Sequence, residues 1–131
     1  MSAKKIVGKA GDRSIVVMDS ITMTTKEDAG RIVVSASHGG VSTAKYALEF
    51  PLAGVFFNDA GVGRDAAGIA ALPMLDAKNV PAGAISHNSA RIGDVADMWE
   101  NGIISHVNAA AGARGLKPGD TLSEAVLLLG S

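Results

Sequence analysis

Cysteine is absent from this chain of 131 residues, which excludes disulfide bridges and thiolate metal sites. Aromatic residues make up only 4 %, so small aliphatic side chains supply most of the 47 % hydrophobic content. No apolar run approaches the roughly 18 residues that cross a bilayer. The first residues, Met1 to Lys5, are followed by no signal-peptide apolar region. These absences predict a cytoplasmic protein without a membrane partner.

Charge of either sign is not in excess. Lysine and arginine together number 12 and the acidic residues 13, for a formal net charge of −1. Nucleic acids and membrane surfaces favour partners with a basic excess, so the balance argues against both. The length predicts one domain, residues 1–131, large enough for a core of its own.

Three apolar segments of strand length occupy the middle of the chain, at residues 32–36, 54–58 and 82–86. Continuous apolar runs of this kind are typical of parallel strands that are buried on both faces. Before them, two β-prone runs flank Gly11 and Asp12, which predicts a hairpin. We therefore predict an α/β fold: a three-layer single domain with a short, mainly parallel sheet (βαβαβ) and an N-terminal β-hairpin.

The segments between and after these strands predict helices over residues 42–50, 65–78, 92–101, 103–113 and 122–129. Ser42 or Thr43 is expected to cap the first of them. Pro73 is expected to kink or split the second. A strand that begins at Ile103 remains an alternative within the fourth. Thr121 to Glu124 has the pattern of a capping box for the last helix.

Polar residues follow each of the three apolar strands. The carboxyl ends of parallel strands lie along one edge of a sheet, where such folds bind ligands. Three candidate catalytic residues stand at these ends: His38, Asp59 and His87. A carboxylate beside an imidazole orients it and raises its pKa for acid–base chemistry. We expect the three side chains within about 10 Å of one pocket; the alternative is that Asp59 caps a helix and the histidines are structural.

Glycines and hydroxyls after the first of these strands have the pattern of an anion site. Backbone amides of Gly39 and Gly40 can approach a ligand closely, and Ser42 and Thr43 stand where a helix begins. Arg91 can clamp a carboxylate or phosphate with two hydrogen bonds. The remaining ligand-binding candidates are Arg64, Asn88 and Ser89. The alternative is a tight turn with an ordinary helix cap.

No cofactor is predicted. The glycines between residues 61 and 68 lack the spacing of the dinucleotide fingerprint, and the acidic residue expected about twenty positions later is missing. His38, His87 and His106 lack the short spacing that anchors a metal site, so no metal is predicted either. His106, on the predicted helix, is taken as structural.

Three Ser-His dipeptides occur, at residues 37–38, 86–87 and 105–106. Neighbouring residues of a strand point to opposite faces, so Ser and His within one dipeptide are not expected to form a nucleophile–base pair. A pairing between different strands remains open, although the serine-hydrolase elbow motif is missing.

The stretch from Arg31 to Ala60 resembles the stand-alone and C-terminal α/β domains of the pyruvate kinase type. Those domains place a strand, a small-residue loop with Ser or Thr, and an alanine-rich helix before the next strand. They bind a phosphate at that loop, and the resemblance implies the same here. The likeness covers less than a quarter of the chain, stops before Gly61, and has no counterpart for His38 to Gly40 or for the segment around His87.

These features predict a small metal-independent enzyme that acts on a small anionic metabolite by His/Asp acid–base chemistry. Hydrolysis, isomerisation and lyase reactions all fit. The alternative is a non-catalytic sensor or scaffold domain that binds a small anion. A homo-oligomer is predicted in either case, because the aliphatic run from Val126 to Leu129 leaves the last helix little polar face.

Overall fold

Six strands pair in chain order into one mixed sheet within the described part of the chain. The computed structural model describes residues 4–91 and 94–130, without the side chains of residues 64 and 65. The strands are β1 (Lys4–Ala10), β2 (Arg13–Met18), β3 (Ile32–His38), β4 (Gly54–Asn58), β5 (Ala82–Ile85) and β6 (Ile104–Val107). The four central strands run parallel, whereas β1 and β6 pair antiparallel at the two edges. An α/β domain with the predicted hairpin and parallel strands is thereby confirmed.

The central strands carry consecutive apolar residues because both of their faces are buried. Val33 and Phe57 pack into one apolar cluster, whereas Val34 and Phe56 pack into a second one. Successive side chains of a strand point to opposite faces of the sheet, so each strand contributes to both clusters. Continuous apolar runs, rather than alternating ones, follow from this double burial.

Five α-helices cover the sheet in the described residues. They are α1 (Val41–Ala47), α2 (Ala71–Asp76), α3 (Val95–Asn101), α4 (Ala109–Ala113) and α5 (Leu122–Ala125). Short 3-10 segments lie between β2 and β3, before α2 and after α5. Helices α1 and α2 pack against each other, and α3 packs against α5. No helix of the described residues is long and apolar enough to cross a membrane.

The predicted helix over residues 103–113 is wrong in its first half, where β6 forms instead. Strand β6 pairs with the otherwise open edge of β5, which supplies backbone partners that a helix would not use. Helix α4 begins only after Asn108, whose side chain accepts a hydrogen bond from the amide of Ala111. His106 therefore lies on a strand at the sheet edge and not on a helix.

The predicted helix over residues 65–78 divides before Pro73 rather than at it. A 3-10 segment over Arg64–Ile69 precedes α2, and Pro73 lies in the first turn of α2. Proline is tolerated there because an amide of the first turn has no partner within the helix.

The predicted helix caps are also wrong. Gly40, and not Ser42 or Thr43, precedes α1. Thr121 precedes α5, but its side chain makes no capping hydrogen bond. The last predicted helix shortens to α5 and a 3-10 turn, Val126–Leu129.

A buried ionic cluster holds the connection between β2 and β3. The Asp28 side chain is fully buried and accepts hydrogen bonds from Lys4 Nζ at 2.9 Å and Arg31 Nη1 at 3.2 Å. The amide of Thr25 donates to the same carboxylate at 2.8 Å. Burial by itself would raise the pKa of Asp28, but these bonds outweigh it and hold the pKa below its ordinary value.

Replacement of Asp28 with asparagine is expected to lower the free energy of unfolding at pH 7 by about 2 kcal/mol, because two cations lose their buried partner. The folded-state pKa lies below the unfolded value of about 3.9. The stabilisation is therefore present above that pH and is lost as the pH falls through the folded-state pKa. Urea unfolding at several pH values measures it, with the exposed Asp12→Asn as the matched control. A difference from wild type that stays constant down to pH values at which Asp28 is protonated would contradict this assignment.

Candidate functional site

Asp59 and His87 emerge side by side from two neighbouring parallel strands. Asp59 directly follows β4, and its amide donates to the carbonyl oxygen of Ile85 at 2.8 Å, so the ladder continues one residue past the strand. His87 follows two residues after Ile85, the end of β5. Parallel pairing of β4 with β5 thus brings the two residues to the same edge of the sheet.

The Asp59 carboxylate contacts His87 at two atoms, the backbone nitrogen and Nδ1 of the ring. Asp59 Oδ1 lies 3.2 Å from His87 Nδ1 and accepts the backbone N–H of His87 at 3.1 Å. The Asp59 side chain is 5 % exposed and that of His87 is 48 % exposed. A buried acceptor therefore fixes one end of an imidazole that remains open to solvent.

Two further groups donate hydrogen bonds to the Asp59 carboxylate. The Ser105 hydroxyl lies 2.6 Å from Oδ2, and the amide of Gly61 donates to Oδ1 at 2.8 Å. Burial alone would raise the pKa of Asp59, but the bonds from Ser105, Gly61 and His87 outweigh it and lower the pKa below its ordinary value. Asp59 consequently carries its negative charge at neutral pH.

Ser105 reaches Asp59 because β6 contains a bulge. His106 pairs with Ala84 and Ile104 pairs with Ile85, so Ser105 is an extra residue in the ladder. The regular alternation of side chains is interrupted there, and Ser105 Oγ lies 3.0 Å from His106 Nδ1. The bulge thus brings the two side chains of this dipeptide into contact, which a regular strand would not do.

Asn58 ties together the loops that carry the two residues. Its side chain is fully buried, and Nδ2 donates to the carbonyl oxygen of Ala90 at 3.1 Å. Its Oδ1 accepts the amide of Ala60 at 2.8 Å. One side chain at the end of β4 therefore stabilises the loop after β4 and the loop after β5.

The loop after Asp59 has an unusual backbone. Ala60, Gly61, Val62 and Gly63 have φ values of 52°, 76°, 67° and 74°. This left-handed region is strained for a β-branched residue such as Val62. The Val62 amide donates to the Asp59 carbonyl oxygen at 2.7 Å, which closes a tight turn over residues 59–62. This turn begins at Asp59, the residue that contacts His87. Strain of this kind persists only where the surrounding contacts enforce it.

The amide of Gly39 donates a backbone hydrogen bond and is therefore not available to a ligand. Its N–H donates to the carbonyl oxygen of Gly68 at 3.0 Å, and its own carbonyl oxygen accepts the amide of Ala71 at 2.7 Å. A Cβ on Gly39 would come within 2.7 Å of the Gly68 oxygen. The predicted anion cradle at Gly39 is therefore replaced by close packing between two loops.

The hydroxyls after β3 are divided between structure and solvent. Thr43 is buried, and its Oγ1 donates to the carbonyl oxygen of His38 at 2.8 Å. Ser42 is exposed at the start of α1. Gly40 is buried, and a Cβ there would meet the His38 ring. Of the predicted anion-binding residues of this loop, Ser42 is the one that is exposed.

His38 faces a cleft of its own. This cleft, of about 370 Å³, lies between β3, α1 and the segment after β2, and Asp19, Ser42 and Tyr46 also line it. Among the described residues that line it, Asp19 is the one with a carboxylate. The structure thus brings Asp59 and His87 together and leaves His38 in a different cleft.

A second cleft, of about 390 Å³, opens beside His87. It is lined by His87, Asn88, Ser89, Ala90, Arg91 and Asp97. Arg91 and Asn88 are exposed in it. The Ser89 hydroxyl is occupied, since it donates to the carbonyl oxygen of Ser86 at 2.8 Å and accepts the amide of Ile103 at 2.9 Å. The side chain of Arg64 lies outside the described residues.

Asp97 fixes the backbone beside this cleft. Its Oδ2 accepts the amide of Arg91 at 2.8 Å, and its Oδ1 accepts the side-chain amide of Asn101 at 2.8 Å. These two bonds, the one from Arg91 first, lower the pKa of Asp97 below its ordinary value. The cleft therefore holds one anchored carboxylate and one exposed guanidinium.

Within the described residues, no group of three His, Asp or Glu side chains is placed to hold a metal ion. Comparisons with protein-family models, with curated proteins and with solved structures each find no match.

Ser105, His106 and Asn58 are the residues near Asp59 that the sequence analysis did not assign to the site. A usable signal for the first two was present: Ile103, Ile104 and Val107 favour a strand, and Asn108 is a good helix cap. Together they indicate that the helix begins after His106. No pattern in the sequence marks the bulge that turns Ser105 toward Asp59.

Proposed function

We propose that the protein is a small enzyme that moves protons with His87 on a small anionic metabolite. The observation that carries the proposal is the contact of the buried Asp59 carboxylate with Nδ1 of the half-exposed His87, at 3.2 Å. A carboxylate that orients an imidazole, with the other ring nitrogen left open, is the arrangement that general acid–base catalysis requires.

The chemistry follows from the position of the proton on His87. An ionised Asp59 accepts only, so Nδ1 of His87 carries the proton and Nε2 keeps its lone pair. Nε2 can then accept a proton from the substrate and later return it. The negative charge of Asp59 stabilises the imidazolium that forms in between. A positioned acid–base group of this kind contributes about 10²–10⁴-fold to the rate.

Arg91 and the size of the cleft support a small anionic substrate. Its exposed guanidinium lines the same cleft as His87 and can hold a carboxylate or a phosphate with two parallel hydrogen bonds. A volume of about 390 Å³ is at the small end of ligand sites. Hydrolysis, isomerisation and lyase reactions each include a proton transfer, and all three fit this site.

A screen of small carboxylates and phosphate esters tests the proposal with three proteins: wild type, His87→Gln and His38→Gln. We expect turnover of one substrate class by wild type and by His38→Gln, because His38 lies in the other cleft. His87→Gln is expected to lower kcat by about 10²-fold or more, since it lacks the proton acceptor. Equal turnover by wild type and a folded His87→Gln, checked by its melting temperature, would end the proposal.

A second candidate function is a non-catalytic anion-binding domain that acts through self-association. Leu127 and Leu128 favour it, because they are 56 % and 46 % exposed on the 3-10 turn that packs beside β1. In the same screen this candidate gives no turnover, together with an anion that raises the melting temperature and changes the sedimentation coefficient.

A further inference from the structure

We propose that Ser105 is a positioning residue through which Asp59 also orients His106. One carboxylate then sets the proton positions of two imidazoles, His87 directly and His106 through a hydroxyl. The use of this second imidazole in proton transfer rests on the proposed function, whereas the hydrogen-bond arrangement itself does not.

An unbroken series of polar contacts joins the two histidines. His87 Nδ1 lies 3.2 Å from Asp59 Oδ1. The other carboxylate oxygen, Oδ2, lies 2.6 Å from Ser105 Oγ, which in turn lies 3.0 Å from His106 Nδ1. Asp59 and His87 follow the ends of β4 and β5, whereas Ser105 and His106 lie within β6, and 46 positions of sequence separate Asp59 from Ser105.

The direction of each hydrogen bond follows from the single proton of the Ser105 hydroxyl. Three acceptors compete for it: Asp59 Oδ2 at 2.6 Å, the carbonyl oxygen of Ala84 at 3.3 Å and, in the Nε2–H tautomer of His106, its Nδ1 at 3.0 Å. The proton belongs to the shorter bond to the ionised carboxylate, because charge-assisted bonds are the stronger ones. Ser105 Oγ is left with its lone pairs and can only accept from His106.

His106 must therefore carry its proton on Nδ1, and its Nε2 keeps a lone pair. His87 is held in the same tautomer by its own contact with Asp59. Both imidazoles then keep a lone pair on Nε2, and a single negative charge, that of Asp59, fixes the tautomer of each. The bulge at Ser105 is the feature that makes this possible, since a regular strand would place Ser105 and His106 on opposite faces.

The ¹⁵N resonances of the imidazoles test this arrangement without any substrate. Spectra are recorded on the full chain at a pH of about 8.5, where an ordinary histidine is neutral. In wild type we expect His87 and His106 both as the Nδ1–H tautomer. Ser105→Ala is expected to lose the Nδ1–H form of His106 while His87 keeps it. Asp59→Ala, which removes the acceptor of both contacts, is expected to lose it at both, and Ser37→Ala, a partly buried serine of the other cleft, at neither.

The wild-type spectrum is decisive even if a variant does not fold. An Nε2–H tautomer for His106 in wild type would overturn the proposal, and so would a folded Ser105→Ala protein in which His106 is unchanged. Failure of the enzymatic proposal looks different: the tautomers are as expected, but no metabolite is turned over. Conversely, suppose that turnover depends on His87 but His106 is the Nε2–H tautomer. The proposed function would then hold, and the orientation of His106 through Ser105 would be refuted.

Discussion

Replacement of Asp59 with asparagine is expected to lower kcat on the substrate found by the screen by about 10²–10³-fold. The side-chain amide of asparagine can donate where the carboxylate only accepted. Asp59 Oδ1 also accepts the backbone N–H groups of Gly61 and His87, so asparagine keeps its amide oxygen at that position and turns its nitrogen toward Ser105, which loses its charged acceptor. The negative charge that stabilises the imidazolium would be lost as well. Steady-state kinetics of the variant against wild type measure the effect.

The matched control is Asp76→Asn. Asp76 is also a carboxylate that accepts a backbone amide, that of Ala110 at 2.8 Å, but it ends helix α2 and lines neither cleft. We expect its kcat to equal that of wild type. A loss of similar size in both variants, or a fall in activity of Asp59→Asn that follows its fraction unfolded, would assign Asp59 to stability rather than to proton transfer.

Replacement of Gly68 with alanine is expected to destabilise the protein by about 3 kcal/mol. A Cβ at Gly68 would overlap the backbone carbonyl of Asp59 and would approach the Val62 carbonyl oxygen at 3.0 Å. Neither neighbour is the flexible end of a side chain, so the strained loop over residues 60–63 would have to move away from Asp59. Denaturant unfolding measures the loss, and we expect the contact between Asp59 and His87 to loosen with it.

Gly112→Ala is the control for this substitution. Gly112 lies in helix α4, and a Cβ there would have no neighbour within 4 Å. Alanine is expected to stabilise the protein there by about 0.5–1 kcal/mol, because it restricts the unfolded chain. If Gly68→Ala were as stable as Gly112→Ala, Gly68 would not be the contact that holds the loop against Asp59.

The local patterns of the sequence determined the parallel core and one half of the site. Continuous apolar runs at β3, β4 and β5 require burial on both faces, and parallel strands then align their carboxyl ends. Asp59 and His87 follow two such ends, so their proximity needs only the knowledge that β4 and β5 are neighbours. The hairpin was equally local, since Gly11 adopts the left-handed φ of 59° that its turn requires.

The tertiary structure alone decided which other polar groups join them. Ser105 depends on the antiparallel pairing of β6 with β5 and on a one-residue irregularity in that pairing, which no local periodicity encodes. His38 also follows a strand end, but the packing of α1 and of the segment after β2 gives it a separate cleft. Gly39 has the composition of an anion-binding loop, yet the approach of Gly68 uses its amide. In each case the partner is distant in sequence, so the role of the residue is set by the contact and not by the pattern around it.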